Sequence, residues 1–158
     1  MGASTHFIFN TFIDAGFILY RRNSLDSQTE YLLLQKSDDS WGSTKGHVED
    51  GESEYEAAIR QTKKELNLEE GKDFSTIPDF KHGIGYEIND EKNGSTMYLL
   101  NLWLGEIINM EKELKHSSEY QDYKWLKLED AIKCFGTNPR EMCWISCLKR
   151  CNEMILKT

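Results

Sequence analysis

Hydrophobic and polar positions follow two different periods along the chain. Apolar runs at 15–20 and 31–35 predict two strands that pair through the polar turn between them. Apolar runs at 80–88 and 96–108 predict another pair of strands, and 120–126 predicts a further short one. Together these segments predict a β-sheet.

The segment 53–67 has the spacing of an amphipathic helix. Its apolar positions recur at intervals of three and four residues. The edge opposite this apolar stripe carries Gln61, Lys64 and Glu65. We therefore expect these three side chains to point away from the core.

Turn-forming residues on either side of this helix predict two loops. Ser, Asp and Gly residues surround Trp41 in the segment 37–44, and Gly71 and Pro78 interrupt the chain before the second pair of strands. We expect no regular element in either segment.

Two more helices are predicted near the end of the chain. A short one occupies 128–133, and Asn138 followed by Pro139 predicts the N-cap and first turn of a helix that ends near residue 156. Strands followed by helices in 158 residues predict one α+β domain in which a mixed sheet lies between helices. Residues 1–12 are either an N-terminal extension or an added edge strand, and we leave both open.

The composition excludes several classes of protein. Apolar residues make up 39% of the chain, and no apolar run is long enough to span a bilayer, so we expect no membrane segment. The N-terminus lacks the features of a secretory signal, and we expect a cytoplasmic or nuclear protein. A net charge of −8 argues against binding to duplex DNA. A polyphosphate ligand would need local basic residues or a bound metal.

The four cysteines, Cys134, Cys143, Cys147 and Cys151, all lie in the last quarter of the chain. This distribution is not typical of a disulfide framework that holds a whole small domain. The last three follow one face of the final helix, where a tetrahedral metal site would lack its fourth ligand. We therefore expect thiols in the core.

The segment 45–60 carries the strongest chemical signal. Gly46, Glu52 and Arg60 follow the order glycine, five residues, glutamate, seven residues, arginine. This order resembles the Nudix box of hydrolases that act on nucleoside-diphosphate-linked substrates. The sequences KGHV at 45–48 and SEYQ at 118–121 narrow the resemblance to asymmetrical diadenosine tetraphosphate hydrolases. It implies the Nudix α/β/α sandwich, Mg²⁺ as the family's cofactor, and nucleotides joined by several phosphates as the substrate class.

The resemblance also implies a metal site, and this chain departs from it. Glu65 and Glu119 match family glutamates that hold metal or activate water, whereas Gln61 and Lys64 replace two further glutamates. A helix holds divalent ions with carboxylates at i, i+3 and i+4, and here these positions sum to zero charge. We therefore expect weak or absent Mg²⁺ binding. Lys64 is either a fixed cation that replaces the metal or part of a solvated face.

A ligand cleft and a structural brace are implied as well. Arg60 and Glu52 match a pair that braces the loop at Gly46 against the helix. His47 either braces the turn or contacts phosphate, and Phe135 is the candidate for a second ring that stacks on a base. The residues implied in ligand binding are Trp41, Lys45, His47, Tyr86 and Tyr98.

Three functions are compatible with these residues. The favoured one is a catalytically impaired protein that binds a nucleoside polyphosphate, a capped or triphosphorylated RNA 5′ end, or a protein partner. The second is an active Mg²⁺-dependent dinucleoside polyphosphate hydrolase, in which Glu65 and Glu119 are joined by Glu49, Glu56 or Glu69. The third is a protein-interaction domain whose cleft is vestigial.

Overall fold

The predicted strands and helices are all present in the structure, a computed structural model that describes residues 10–91 and 94–157. Within these ranges the elements are, in chain order, β1 (Asn10–Arg22), β2 (Thr29–Lys36), β3 (Trp41–Gly42), β4 (Thr44–His47), α1 (Glu54–Leu66), β5 (Phe74–Thr76), β6 (His82–Asp90), β7 (Gly94–Ile107), β8 (Tyr120–Leu126), α2 (Leu128–Ile132) and α3 (Pro139–Leu156).

Strand β1 lies at the centre of the sheet. It pairs in parallel with β7 from Asn10 opposite Thr96 to Tyr20 opposite Glu106. It also pairs antiparallel with β2, which confirms the predicted pairing of the first two strands. Because helices cover both faces of β1, its apolar residues form an uninterrupted run rather than an alternation. The predicted mixed sheet is confirmed.

The helices lie on both faces of this sheet. Helix α1 packs through Ala57, Ala58 and Leu66 onto the face that carries Phe17 and Phe74. Helices α2 and α3 pack onto the opposite face. Cys147 and Cys151 are buried there, as predicted for core thiols. The predicted α/β/α sandwich is therefore confirmed.

Sharp helix boundaries follow the signals in the sequence. Ser53 caps α1 by accepting a hydrogen bond from the backbone N–H of Glu56, whose side chain bonds back to the N–H of Ser53. Asn138 caps α3 in the same way by accepting from the N–H of Glu141. The cap of α3 fixes the position of its first turn, which carries Arg140.

Both segments predicted as loops contain strands. The segment around Trp41 contributes β3 and β4, and the segment after Gly71 contributes β5. These strands are too short to have a recognisable period, and β4 and β5 depend on partners that are distant in sequence. Strand β4 approaches β1 so closely that a Cβ atom at Gly16 would lie 1.8 Å from the carbonyl oxygen of Thr44. Glycine at position 16 therefore permits the pairing that holds the loop.

The N-terminal segment 1–12 is described in part. Residues 10–12 belong to β1, where Phe12 pairs with Tyr98 of β7. Residues 1–9 lie outside the described residues, so for them both alternatives, an N-terminal extension and an added edge strand, stay predictions. None of the helices in the described ranges is long and apolar enough to cross a membrane.

Candidate ligand-binding cleft

Residues 44–49, which comprise β4 and the two residues after it, are called the β4 loop below. A cleft of about 480 Å³ lies between the β4 loop, α1, β6, β7 and the first turn of α3. The predicted residues Lys45, His47, Tyr86, Tyr98 and Glu119 all line it. Its acidic side chains are Asp14, Glu49 and Glu119, and its basic side chains are Lys36, Lys45, Arg60, Lys64 and Arg140. The cleft therefore carries an excess of basic residues in a chain whose net charge is −8.

One edge of the cleft is formed by α1. Gln61 lies against the loop, because a Cβ atom at Gly46 would be only 2.2 Å from its side-chain amide. Lys64 is exposed and lines the cleft, whereas its neighbour Lys63 forms an ion pair with Glu69 on the other side. The two lysines therefore have different surroundings.

Glu65 does not lie on an exposed edge, and that prediction is wrong. Its side chain is buried, because β8 and the β4 loop close over it. Oε1 accepts a hydrogen bond from the backbone N–H of Lys45 at 3.0 Å, and Oε2 accepts one from the hydroxyl of Tyr120 at 2.9 Å. Burial raises the pKa of Glu65 to about 7, and the nearby negative charge of Glu119 adds to this effect.

Arg60 connects α1 to the loop. Its Nε and Nη2 atoms donate to the two carboxylate oxygens of Glu52 at 2.8 and 2.9 Å. Nη2 also donates to the carbonyl oxygen of His47 at 2.9 Å. The hydrogen bonds from Arg60 hold the pKa of Glu52 at about 2. One guanidinium thus ties the loop to the helix at two points.

His47 has a further partner that the sequence did not indicate. Its Nδ1 atom lies 2.6 Å from Oδ1 of Asp14 in β1. The His47 backbone takes part in the Arg60 brace, and the exposed ring lies at the wall of the cleft. The imidazole thus has a partner in β1, as a bracing role requires, and its contact with phosphate stays a prediction.

A group of cations lies at the centre of the cleft. Burial lowers the pKa of Lys45 to about 8, and the positive charges of Lys36 and Arg140 lower it further. Within the described ranges, Lys36, Lys45, Lys64 and Arg140 form no ion pair with a carboxylate. The repulsion that Lys45 receives from Lys36 and Arg140 exceeds its attraction to the carboxylate of Asp14, and an anion would relieve this repulsion.

Aromatic rings form a stack along the sheet beside these cations. Phe12, Tyr98 and Tyr86 lie opposite one another on β1, β7 and β6. Ring centroids are 5.4 Å apart between Phe12 and Tyr98, and 5.2 Å apart between Tyr98 and Tyr86. The guanidinium carbon of Arg140 lies 4.6 Å from the centroid of Tyr86. Tyr86 therefore ends the stack with a cation on one face.

Trp41 and Phe135 lie in an adjacent cavity of about 270 Å³ rather than in the cleft. Phe135 stacks on Trp144, with ring centroids 6.0 Å apart. The two cavities share Lys36, Lys45 and Arg140. These three residues are called the cation cluster below, and an aromatic-lined cavity lies on each side of it.

Comparison with known proteins identifies the family. Residues 14–143 match the family model of the NUDIX domain, which covers most of the chain. The chain belongs to the Nudix family. It is 40% identical over 121 residues to the asymmetrical bis(5′-nucleosyl)-tetraphosphatase of Caenorhabditis elegans, covering 75% of this chain and 81% of that protein. It is 36% identical over 124 residues to the Mus musculus protein of the same name, covering 75% of this chain and 80% of that protein.

The fold of the chain is also similar to that of a solved structure. The structure is similar to that of a C. elegans Ap4A hydrolase binary complex, with a TM-score of 0.75 and 32% sequence identity. The match covers 93% of this chain and 99% of that chain. The predicted resemblance to the Nudix family and to asymmetrical diadenosine tetraphosphate hydrolases is thereby confirmed.

The acidic residues of this Nudix chain are dispersed. Of the three glutamates considered for a rearranged metal site, Glu49 lines the cleft, Glu56 takes part in the α1 cap, and Glu69 forms ion pairs with Lys63 and Lys72. Across residues 10–91 and 94–157, no three His, Cys, Asp or Glu side chains are grouped so that they could hold a metal ion.

Four residues of the cleft were missed by sequence reasoning: Asp14, Lys36, Tyr120 and Arg140. Asp14 precedes a fully apolar run, which marks it as an unusual charge in a strand. Arg140 stands in the first turn of a helix, where the helix dipole disfavours a cation. The unusual charges at Asp14 and Arg140 could have marked them as candidate site residues. Lys36 and Tyr120 lie at the ends of strands, where such residues are ordinary.

Proposed function

We propose that this protein binds a nucleoside polyphosphate in the cleft and has little or no hydrolytic activity. The observation that carries the proposal is the cation cluster, together with Lys64, in a cleft where none of these side chains forms an ion pair with a carboxylate of the described residues. A chain of phosphates is the ligand that such a group would neutralise. The basic residues are local, as a protein with a net charge of −8 requires.

The donor set does not fit the Mg²⁺ that the family resemblance implies. Gln61 offers an amide, Lys64 offers a cation, and both oxygens of Glu65 already accept hydrogen bonds inside the protein. A unit charge about 4 Å from a divalent ion changes its energy by about 8 kcal/mol at the effective dielectric constant near a protein surface, and by about 2 kcal/mol in bulk water. Lys64 opposes the ion across this whole range.

The two cavities suit a ligand with two aromatic ends. The cation cluster would contact the phosphates, with Lys64 available at the edge of α1. Tyr86 would contact a base in the cleft, and the cavity beside Trp41 and Phe135 would accept a second one. The relatives named asymmetrical bis(5′-nucleosyl)-tetraphosphatases suggest diadenosine tetraphosphate as the first ligand to try.

The test is a calorimetric titration of the protein with diadenosine tetraphosphate, with and without Mg²⁺, followed by chromatography of the same sample. We expect binding without Mg²⁺ and an intact nucleotide afterwards. Added Mg²⁺ should leave the affinity unchanged or weaken it, because it neutralises the phosphates that the lysines and Arg140 would contact. Binding that requires Mg²⁺, or no binding at all, would contradict the proposal.

The second candidate is an active hydrolase, and the identity of 36–40% to named tetraphosphatases favours it. Glu119 and Glu49 both line the cleft and would be its remaining exposed carboxylates. Metal-dependent release of ATP and AMP at an enzymatic rate would establish this candidate. Competition by triphosphorylated RNA would extend the ligand class to RNA 5′ ends, and a protein partner would require a surface outside the cation cluster.

A further inference from the structure

Arg140 lies where the aromatic stack meets the cation cluster. Its guanidinium carbon is 4.6 Å from the centroid of Tyr86, and its charge lies close enough to Lys45 to lower the pKa of that lysine. It lines the cleft and the adjacent cavity. No other described residue both lies over a ring of the stack and belongs to the cation cluster.

The position is unfavourable for a cation that has only a structural role. Arg140 stands in the first turn of α3, close to the positive end of the helix dipole. It also lies near Lys36 and Lys45, and it forms no hydrogen bond or ion pair with any of the described residues. Contact with the Tyr86 ring is the attraction that offsets this repulsion.

A guanidinium can make two kinds of contact at once. Its flat face stacks on aromatic rings, while its N–H donors lie in the plane and match the oxygens of phosphate. At Arg140 the guanidinium carbon lies over the Tyr86 ring, and no described side chain accepts a hydrogen bond from its N–H donors. A lysine ammonium at this place would keep the charge and lose the planar face.

We propose that Arg140 is a specificity residue that recognises the base and the phosphates of one nucleotide together. Its face forms one wall of a base site whose other wall is Tyr86, and its in-plane donors bind the phosphate attached to that base. To admit the base, the guanidinium moves off the Tyr86 ring, which its exposed position at the start of α3 allows. The proposal rests on the proposed function of the same cleft.

The test compares a ligand that has a base with one that lacks it. ATP and inorganic tripolyphosphate are titrated, without Mg²⁺, into the wild type, Arg140→Lys and Arg140→Ala. Arg140→Lys should reduce the preference for ATP over tripolyphosphate by about three- to tenfold, because the stacking face is lost and the charge is kept. Arg140→Ala should also weaken tripolyphosphate by about tenfold.

Arg150→Lys is the matched control. Arg150 lies on the same helix, and its guanidinium carbon is 5.0 Å from the ring of Phe80, but it lines a different cavity. This variant should bind both ligands as the wild type does. Unfolding midpoints of all variants establish that a change in binding is not a loss of folded protein.

A double-mutant cycle separates recognition from a structural effect. After Tyr86→Leu removes the ring, Arg140→Lys should no longer change the ratio of the two affinities. If Arg140→Lys weakens ATP and tripolyphosphate equally, or if its effect persists in the Tyr86→Leu background, the base-recognition role is wrong. If the wild type binds neither ligand, the proposed function itself fails, which is a distinguishable result.

Discussion

Replacing Gln61 and Lys64 together by glutamate tests the electrostatic account of the cleft. The double variant changes the charge at this edge of α1 by three units. Gln61→Glu keeps the shape of the side chain that lies against Gly46, and Lys64 is exposed, so neither change disturbs the buried face of the helix. We expect the variant to bind Mg²⁺ and to recover some hydrolysis.

The size of the effect follows from the charges. Because Lys64 is exposed, the value for bulk water is the safer one: about 2 kcal/mol for each unit of charge about 4 Å from a divalent ion. Three units then amount to about 6 kcal/mol, and physiological salt screens this to about 4 kcal/mol. The affinity for Mg²⁺ should therefore rise by about a thousandfold.

The assay is calorimetric titration of Mg²⁺, followed by chromatography of diadenosine tetraphosphate incubated with each variant. The control is Gln61→Glu with Lys63→Glu, which makes the same change in charge on the same helix. Lys63 pairs with Glu69 and does not line the cleft, so this control should gain much less. Equal gains in the two double variants, or a gain below tenfold, would refute the reasoning.

Three further results are expected. Burial raises the pKa of Glu65 from 4.5 to about 7, so the folded state binds this proton more tightly than the unfolded state. The contribution of Glu65 to stability is therefore largest below about pH 4.5 and falls by about 3 kcal/mol as the pH rises through 7. Urea unfolding at pH 4 and pH 8 should show this slope in the wild type and not in Glu65→Gln; parallel slopes would contradict it. Lys45→Ala should weaken diadenosine tetraphosphate about tenfold at pH 7. In the wild type the affinity should fall as Lys45 deprotonates above pH 8, and Lys45→Ala should abolish this fall. The same pH profile in the wild type and the variant would exclude contact between Lys45 and the phosphates. Gly16→Ala should destabilise the fold by about 2 kcal/mol, since its Cβ would lie 1.8 Å from the Thr44 carbonyl oxygen. The control Gly83→Ala, whose Cβ would lie 3.3 Å from Asn101, should unfold close to the wild type, and similar losses in both would contradict the account.

The strands and helices could be predicted because their signals are local. The apolar runs of β1 and β2 lie within those strands, and the capping residues of α1 and α3 directly precede those helices. The short strands β3, β4 and β5 could not be predicted, since β3 has only two residues and β4 and β5 exist through partners that are distant in the sequence. Strand β4, for example, depends on the absence of a side chain at Gly16.

The site was predicted in part for a similar reason. The loop motif and the family resemblance identified Lys45, Tyr86 and Tyr98, which the structure brings to one cleft. Helical periodicity placed Glu65 on an exposed edge, but Tyr120 of β8 covers it. A helical pattern reports which residues share a face, and it does not report what a later strand places over that face.

The side chains of α1 that set the charge in the cleft differ from those that pack in the core. Ala58, Thr62 and Leu66 hold α1 in the core, and helical periodicity places them on a different side of the helix from Gln61 and Lys64. The presence of Gln61 and Lys64 in place of two glutamates therefore changes the charge in the cleft without changing the packing of α1 in the core. A polyphosphate can be neutralised either by metal ions held by carboxylates or by fixed cations, and only the metal ions can also activate water. The cation cluster together with Lys64, rather than the degree of similarity to the named tetraphosphatases, is thus the feature from which we infer binding without turnover.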